Sequence, residues 1–319
     1  MKILITGIAG FLGKNLVSAL QGHELVGLGT REQSMGGIRV FSSKDPKQWD
    51  FKPDLLILCH AAIADGQKPL PSQNYYESNV ALTERLTARF REQTIIYIST
   101  ASLYDASTPM IRENSPLLPQ SSYETSKLWG ENIVSRRESH VILRFSSVFG
   151  AGMKEHTVLP TYINQALSTG KIEVWGRGER KQNYVHVEDA CSYIQRAVWN
   201  LKKIKGRKLL AVGQRHVSNK QLAEIIARHT GAKIIFKNTD TSHSRRYDNQ
   251  VTGKSSGIDL GALLNSRFGN LSNGKKDSPS HGYWGQRGAG DSQEYPCLGA
   301  GDSSYRHQHQ RLFTGKSSL

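Results

Sequence analysis

Tyr123 and Lys127 stand four residues apart in the stretch Ser121-Ser122-Tyr123-Glu124-Thr125-Ser126-Lys127. On a helix that spacing puts both side chains on one face. An ammonium beside a phenol favours the phenolate and lowers the tyrosine pKa from about 10. A phenol so tuned can take a proton from a hydroxyl, or return one to a ketone, near neutral pH. Thr100 closes an earlier apolar run and is placed to hydrogen-bond the same substrate oxygen. A tyrosine–lysine pair at this spacing also occurs on solvated helix faces, so its meaning depends on the elements that position it.

Those elements are legible in outline. The serine pair supplies an N-cap and Glu124 falls in the first turn, where the helix dipole favours a carboxylate. The helix so begun continues through Ile133. At the start of the chain, residues 2–6 read as a buried strand, followed by Gly7, Gly10 and Gly13 at three-residue spacing and then by a helix through Leu16, Val17 and Leu20. Strand, glycine turn and helix together offer backbone N–H groups and a helix N-terminus to a pyrophosphate. Gly7 permits the tight turn, Gly10 lets phosphate approach, and Gly13 lets helix and strand pack closely. Gly7, Gly10, Phe11, Leu12 and Gly13 are therefore the candidate pyrophosphate contacts.

Residues 24–29 form a second strand that ends at Gly29, where a NAD-binding unit usually carries a carboxylate for the ribose hydroxyls. Thr30 and Arg31 follow. A missing carboxylate with a guanidinium nearby suits the 2′-phosphate of NADP, so the cofactor is NAD or NADP, with NADP favoured. Residues 38–41 make a third strand, and residues 54–62 a fourth whose terminal Ala61 and Ala62 leave room for a cofactor to pass. His60 reads as a packed, hydrogen-bonded histidine. A long helix spans 74 to about 91, and residues 94–98 make the fifth strand. Strands alternating with helices predict an α/β fold, a doubly wound parallel sheet of Rossmann type.

The chain has 319 residues, three cysteines (Cys59, Cys191 and Cys297) and a net charge of +15. Three widely spaced cysteines suggest neither a disulfide framework nor a metal site. No apolar run approaches a membrane span and the opening is a core strand rather than a signal peptide, so a cytoplasmic location is expected. The lysines and arginines are scattered, without an RNP-like or helix-turn-helix pattern. The charge is accordingly read as affinity for small anionic substrates rather than for nucleic acid.

Taken together, the glycine turn, Thr100 and Tyr123-x-x-x-Lys127 resemble the extended short-chain dehydrogenase/reductase superfamily, and more narrowly its NAD(P)-dependent nucleotide-sugar epimerase/dehydratase branch. His60-Ala61-Ala62, Asn79-Val80, the stretch from Leu143 to Gly150 and the stretch from Trp175 to Asp189 add to the likeness. The resemblance implies that Lys127 holds the nicotinamide ribose, that Tyr123 exchanges a proton with the sugar assisted by Thr100, and that Ala61, Ala62 and Asn79 contact the cofactor. It also implies a nucleotide-sugar substrate bound between two lobes and a homodimer formed through two long helices.

The departures narrow the reaction. The family's 4,6-dehydratases follow the threonine with an acidic pair, whereas Thr100 is followed by Ala101-Ser102. The family's phosphate-binding asparagine appears as Ser147, and a frequent arginine appears as Gln182. Arg245 or Arg246 is then the candidate phosphate contact. The expected substrate-binding set is Thr100, Ser147, Gln182 and Arg245. An epimerase working through a keto intermediate leads, followed by an NADPH-dependent 4-keto-sugar reductase. A non-catalytic dinucleotide- or RNA-binding relative is the reading from another class.

The domain plan is a dinucleotide-binding domain over 1–150, with strand and helix returns from about 180–212, and an interleaved substrate lobe over 151–253. The tail 254–319 differs. It holds 11 Gly and 11 Ser with little apolar periodicity, a composition that cannot bury enough surface to offset chain entropy. It reads as disordered sequence of the kind a reading-frame change leaves. A Gly-rich anion- or RNA-binding tail is the alternative.

Overall fold

The computed structural model describes residues 1–64 and 68–248. The tail 254–319 and its expected disorder lie outside them. In chain order the first half runs β1 (Lys2–Thr6), α1 (Phe11–Ala19), β2 (Glu24–Gly29), β3 (Gln33–Met35), β4 (Ile38–Ser42), β5 (Leu55–Leu58), α2 (Ser72–Tyr75), α3 (Leu82–Arg89), β6 (Thr94–Thr100) and α4 (Ser122–Ser135). The second runs β7 (His140–Phe145), β8 (Ser147–Phe149), α5 (Val158–Thr169), β9 (Lys171–Trp175), β10 (Lys181–His186), α6 (Val187–Trp199), α7 (Leu201–Ile204), β11 (Arg207–Ala211), β12 (His216–Ser218), α8 (Asn219–Thr230) and β13 (Lys233–Lys237).

Successive side chains of a strand point to opposite faces, and in β1 both faces are buried. Ile3 and Ile5 join a core with Leu16 and Leu20 beside α1 and with Val187, Ile194 and Val198 of α6. Leu4 joins a second core with Leu82 and Leu86 of α3 and Val134 of α4. A strand covered by helices on both sides belongs inside a parallel sheet. The sheet has eight strands in the order β11-β7-β6-β5-β1-β2-β4-β3, parallel except for the β3–β4 pair. The chain steps outward from β1 on one side, then returns to β5 and steps outward on the other. The switch point between β1 and β5 is where such sheets open a crevice. This is the Rossmann-type doubly wound fold expected.

Smaller sheets complete the described chain: β12-β10-β8, and the parallel pair β13-β9, against which α5 and α8 pack. Three local features differ from the sequence reading. An edge hairpin joins β3 to β4 through Gly36 and Gly37, both at positive φ (56° and 80°), but the polar strand Gln33–Met35 carries no apolar pattern. The fourth strand ends at Leu58, so Cys59 to Ala62 lie beyond it. The helix expected over 74 to about 91 is interrupted by a π-helical stretch, Tyr76–Ala81.

One buried ion pair ties α4 to the sheet. Arg144 of β7 donates to Glu131 of α4 through Nη2 at 2.6 Å and Nε at 2.9 Å, with exposures of 2% and 0%. Ser99 of β6 also donates to Glu131 Oε1, at 2.6 Å, and the Arg144 guanidinium lies 4.8 Å from the Tyr104 ring centre. Removing one partner strands the other charge in the interior. Glu131→Ala should therefore destabilise the fold by about 3–5 kcal/mol in denaturant unfolding. Arg144→Met in the same chain should recover part of that loss, as expected for coupled sites.

Candidate active site

The glycine turn is held as the spacing requires. Gly7 takes φ +63°, its N–H donates to Leu28 at 2.8 Å, and Gly10 N–H donates to the Gly7 carbonyl at 2.8 Å. A Cβ at Gly13 would overlap the Gly7 carbonyl oxygen and the Ile8 backbone, so only glycine lets α1 sit this close to β1. Gly10 caps α1 with no side-chain hydrogen bond, Phe11 and Leu12 are half-buried, and Gly10 itself is exposed. A helix start faced by bare backbone fits a dinucleotide pyrophosphate. At the end of β2, Gly29 accepts from Ser43 N–H at 2.7 Å and Arg31 is exposed. The next carboxylate, Glu32, faces Arg39 at 3.5 Å.

Beyond β5, His60 is buried between Thr6 (2.6 Å) and Thr83 (3.0 Å), the packed histidine expected. Asn79 lies in the π-helical stretch and is fully buried. Its Oδ1 accepts from Ala62 N–H at 2.7 Å, and its Nδ2 donates to Ser126 Oγ at 2.8 Å. Ser126 in turn donates to the Tyr123 carbonyl at 2.7 Å. Asn79 thus fixes the wall formed by Ala61 and Ala62 from behind and links it to the helix that bears Tyr123.

Thr100 ends β6, and Tyr123 and Lys127 lie on α4, whose N-cap Ser121 accepts from Glu124 N–H at 3.2 Å. Lys127 is 2% exposed, with Nζ 4.2 Å from the Tyr97 ring centre. Burial pushes its pKa down to about 8, against the opposing pull of Cys59 and Glu131. The Tyr123 phenol is pushed up to about 12, first by burial and then by the Glu124 carboxylate, while the Thr100 hydroxyl pulls the other way. This corrects the expectation that the lysine lowers the phenol. One helical turn on, the ammonium sits over the Tyr97 ring and interacts with Cys59 and Glu131, while desolvation and Glu124 raise the half-buried Tyr123 phenol.

Thr100, Ser147, Gln182 and Arg245 all line one cavity of about 190 Å³. Gln182 Nε2 donates to Asn219 Oδ1 at 3.0 Å, and Arg245 Nη2 reaches the Ser102 carbonyl at 3.5 Å. Arg180, Lys181 and His243 also line it and were not singled out from sequence. Arg180 borders a second cavity of about 590 Å³ as well, beside Gly176 and Asp240. In a chain with 42 Lys and Arg residues, no local pattern distinguishes Arg180; the buried, unpartnered Nε of its half-buried side chain does.

Residues 3–213 match the model of the NAD-dependent epimerase/dehydratase family. The chain belongs to that family. Within this NAD-dependent enzyme family it is 25% identical over 271 residues to the uncharacterized UDP-glucose epimerase YtcB of Bacillus subtilis (strain 168), covering 75% of this chain and 85% of that one. It is 24% identical over 284 residues to a dTDP-glucose 4,6-dehydratase of Actinoplanes, covering 77% and 88%. The crystal structure of UDP-glucuronic acid 4-epimerase from Bacillus cereus in complex with NAD superposes with a TM-score of 0.72 at 20% identity, over 85% of this chain and 99% of that one. That likeness concerns the fold. No helix among the described residues is long and apolar enough to cross a membrane.

The Lys127 shift carries a stability consequence. Between its folded pKa of about 8 and the ordinary value of 10.5, the unfolded chain binds a proton that the folded chain does not. Stability attributable to this group therefore rises with pH through that window. Lys127→Met removes the group, so the wild type should gain stability relative to the variant between pH 8 and pH 10.5 in paired denaturant titrations.

Proposed function

We propose that this chain is an NAD(P)-dependent epimerase that acts on a nucleotide-activated sugar through a transient keto intermediate. The observation that carries the reading is the position of Thr100. Its hydroxyl acts on the Tyr123 phenol, pulling its pKa down, and it also lines the cavity shared by Ser147, Gln182 and Arg245. The acid–base group and the cavity for a polar substrate thus meet at one hydroxyl.

In this reading Gly7, Gly10, Phe11, Leu12 and Gly13 hold the pyrophosphate, Ala61 and Ala62 form the wall beside the ring, and Lys127 binds the ribose. The bound dinucleotide supplies a hydride acceptor that later gives the hydride back. Tyr123 takes the proton of the sugar hydroxyl and returns it when the ketone is reduced from the opposite face. Thr100 holds the sugar oxygen on line with the phenol. To accept that proton the phenol must first be ionised, and positive charge brought beside it on binding lowers its pKa. Ala101 is fully buried and Ser102 is spent on Thr100, at 3.0 Å between hydroxyls, so neither position offers the acid and base that water loss needs.

Two observations favour a 4-keto-sugar reductase as the second reading. Gly29 followed by an exposed Arg31 suits the extra phosphate of NADP. The Tyr123 phenol, held protonated in this structure, is ready to donate rather than accept.

Tyr123→Phe should lower turnover of nucleotide sugars about a hundred- to ten-thousand-fold while leaving dinucleotide binding intact. Unchanged turnover in that variant defeats both readings. The two then part on cofactor use: an epimerase turns over with catalytic cofactor and no added NADPH, whereas a reductase oxidises one NADPH per product, followed by the loss of nicotinamide absorbance.

A further inference from the structure

Five cations fall within seven residues just before and at the start of β11: Lys202, Lys203, Lys205, Arg207 and Lys208, all exposed. Leu201 and Ile204, three apart on α7, turn inward onto the core, so the lysines between and after them face solvent. This turn is pinned to the connection from α4 to β7. Gly206 N–H donates to the His140 carbonyl at 2.7 Å, and Lys205 Nζ donates to Glu138 Oε1 at 2.6 Å. That connection adds the exposed Arg136. Among the described residues, no carboxylate pairs with Arg136, Lys202, Lys203, Arg207 or Lys208. Just before the run stands Trp199, the last residue of α6 and, at 66%, the most exposed large apolar side chain among the described residues.

Ordinary roles account for part of this. β11 is the last strand of the sheet, and charges at Arg207 and Lys208 keep such an edge from pairing with another chain. Lysines that follow α6 complement the negative end of its dipole. Neither role calls for an exposed indole. An indole settles at the boundary between water and an apolar medium, and clustered lysines are drawn to a plane of negative charge. The single aromatic also chooses between polyanions. Proteins that hold single-stranded nucleic acid stack successive bases on several rings, whereas one ring accompanies this run. The strands β6, β7 and β11 run parallel. The run therefore lies at the end of the sheet opposite to Thr100 and its cavity, which a docked surface leaves open.

We propose that this end of the sheet docks on an anionic lipid membrane. The lysines are held by the headgroup charge, and the Trp199 indole sits at the headgroup level. Binding is peripheral and reversible, because the attraction fades within a Debye length and one indole is a shallow anchor. The inference is independent of the sugar chemistry, since none of these residues lines the candidate site.

The test is co-sedimentation of the full chain with vesicles of phosphatidylcholine alone, or of equal parts phosphatidylcholine and phosphatidylglycerol. The wild type should partition onto the anionic vesicles, less so as salt rises, and far less onto the neutral ones. Each basic side chain near such a surface is worth about fivefold in partition. Joint Lys202→Gln, Lys203→Gln and Lys205→Gln should therefore weaken it about a hundredfold. Trp199→Ala should weaken it severalfold. Lys171→Gln, Lys220→Gln and Lys233→Gln together remove the same charge from β9, α8 and β13 and should leave partition nearly unchanged. Thermal unfolding at the wild-type midpoint reports that each variant is folded. Absence of binding to the anionic vesicles overturns the proposal, as does unchanged binding in the lysine or the tryptophan variant. Equal loss in the charge-matched variant overturns it in favour of net charge alone. Tighter binding to an RNA oligonucleotide than to the vesicles, lost with Lys202, Lys203 and Lys205, gives the surface to nucleic acid and overturns it too.

Discussion

The constraint on which this structure depends is the complete burial of β1. With Ile3 and Ile5 packed on one side and Leu4 on the other, neither sheet face is open to a ligand. Space for chemistry remains only where the strands stop. Each candidate group follows from that. Gly7 comes directly after β1, Ala61 and Ala62 shortly after β5, Thr100 is the last residue of β6, and Ser147 follows β7. Tyr123 reaches the same edge because α4 packs beside β6 and β7, where Gly130 allows the close approach: a Cβ there would overlap the Tyr97 hydroxyl.

Burial at that edge also governs its electrostatics. Lys127 is a cation in a dry setting, lowered by desolvation and partly supported by Glu131. Glu131 is itself shared among Arg144, Ser99 and the field of that lysine. The helix thus carries Tyr123 and Lys127 on a buried frame of compensating charge. Tyr123 has the Glu124 carboxylate beside it, which adds to burial in raising its phenol.

What depends on local pattern was legible in the sequence. The glycine spacing, the strand ends near Gly29 and Thr100, and the Ser121 cap need only neighbours along the chain to be understood. What was missed depends on partners far away in sequence. The π-helical stretch around Asn79 accompanies bonds to Ala62 and Ser126, which no helical periodicity encodes. The strand Gln33–Met35 pairs through its backbone, with glycines at the turn, and needs no apolar alternation. The direction of the Tyr123 shift was misjudged because spacing reveals a neighbour's charge but not the loss of water around it. Arg180 is one basic residue in a strongly basic chain until its unpaired nitrogen is seen.

The hydrogen-bonded path Ala62–Asn79–Ser126–Tyr123 separates two parts of the molecule. It registers α4 against the segment that ends at Ala62, and none of its members lines the cavity of Thr100, Ser147, Gln182 and Arg245. Ser147, Arg180, Gln182 and Arg245 come from later segments of the chain. Under the proposed function, substitutions on those later segments can alter what the cavity holds while the link from α4 to Ala62 stays in place. On that reading, a fold wired in this way can change its sugar without relearning its chemistry.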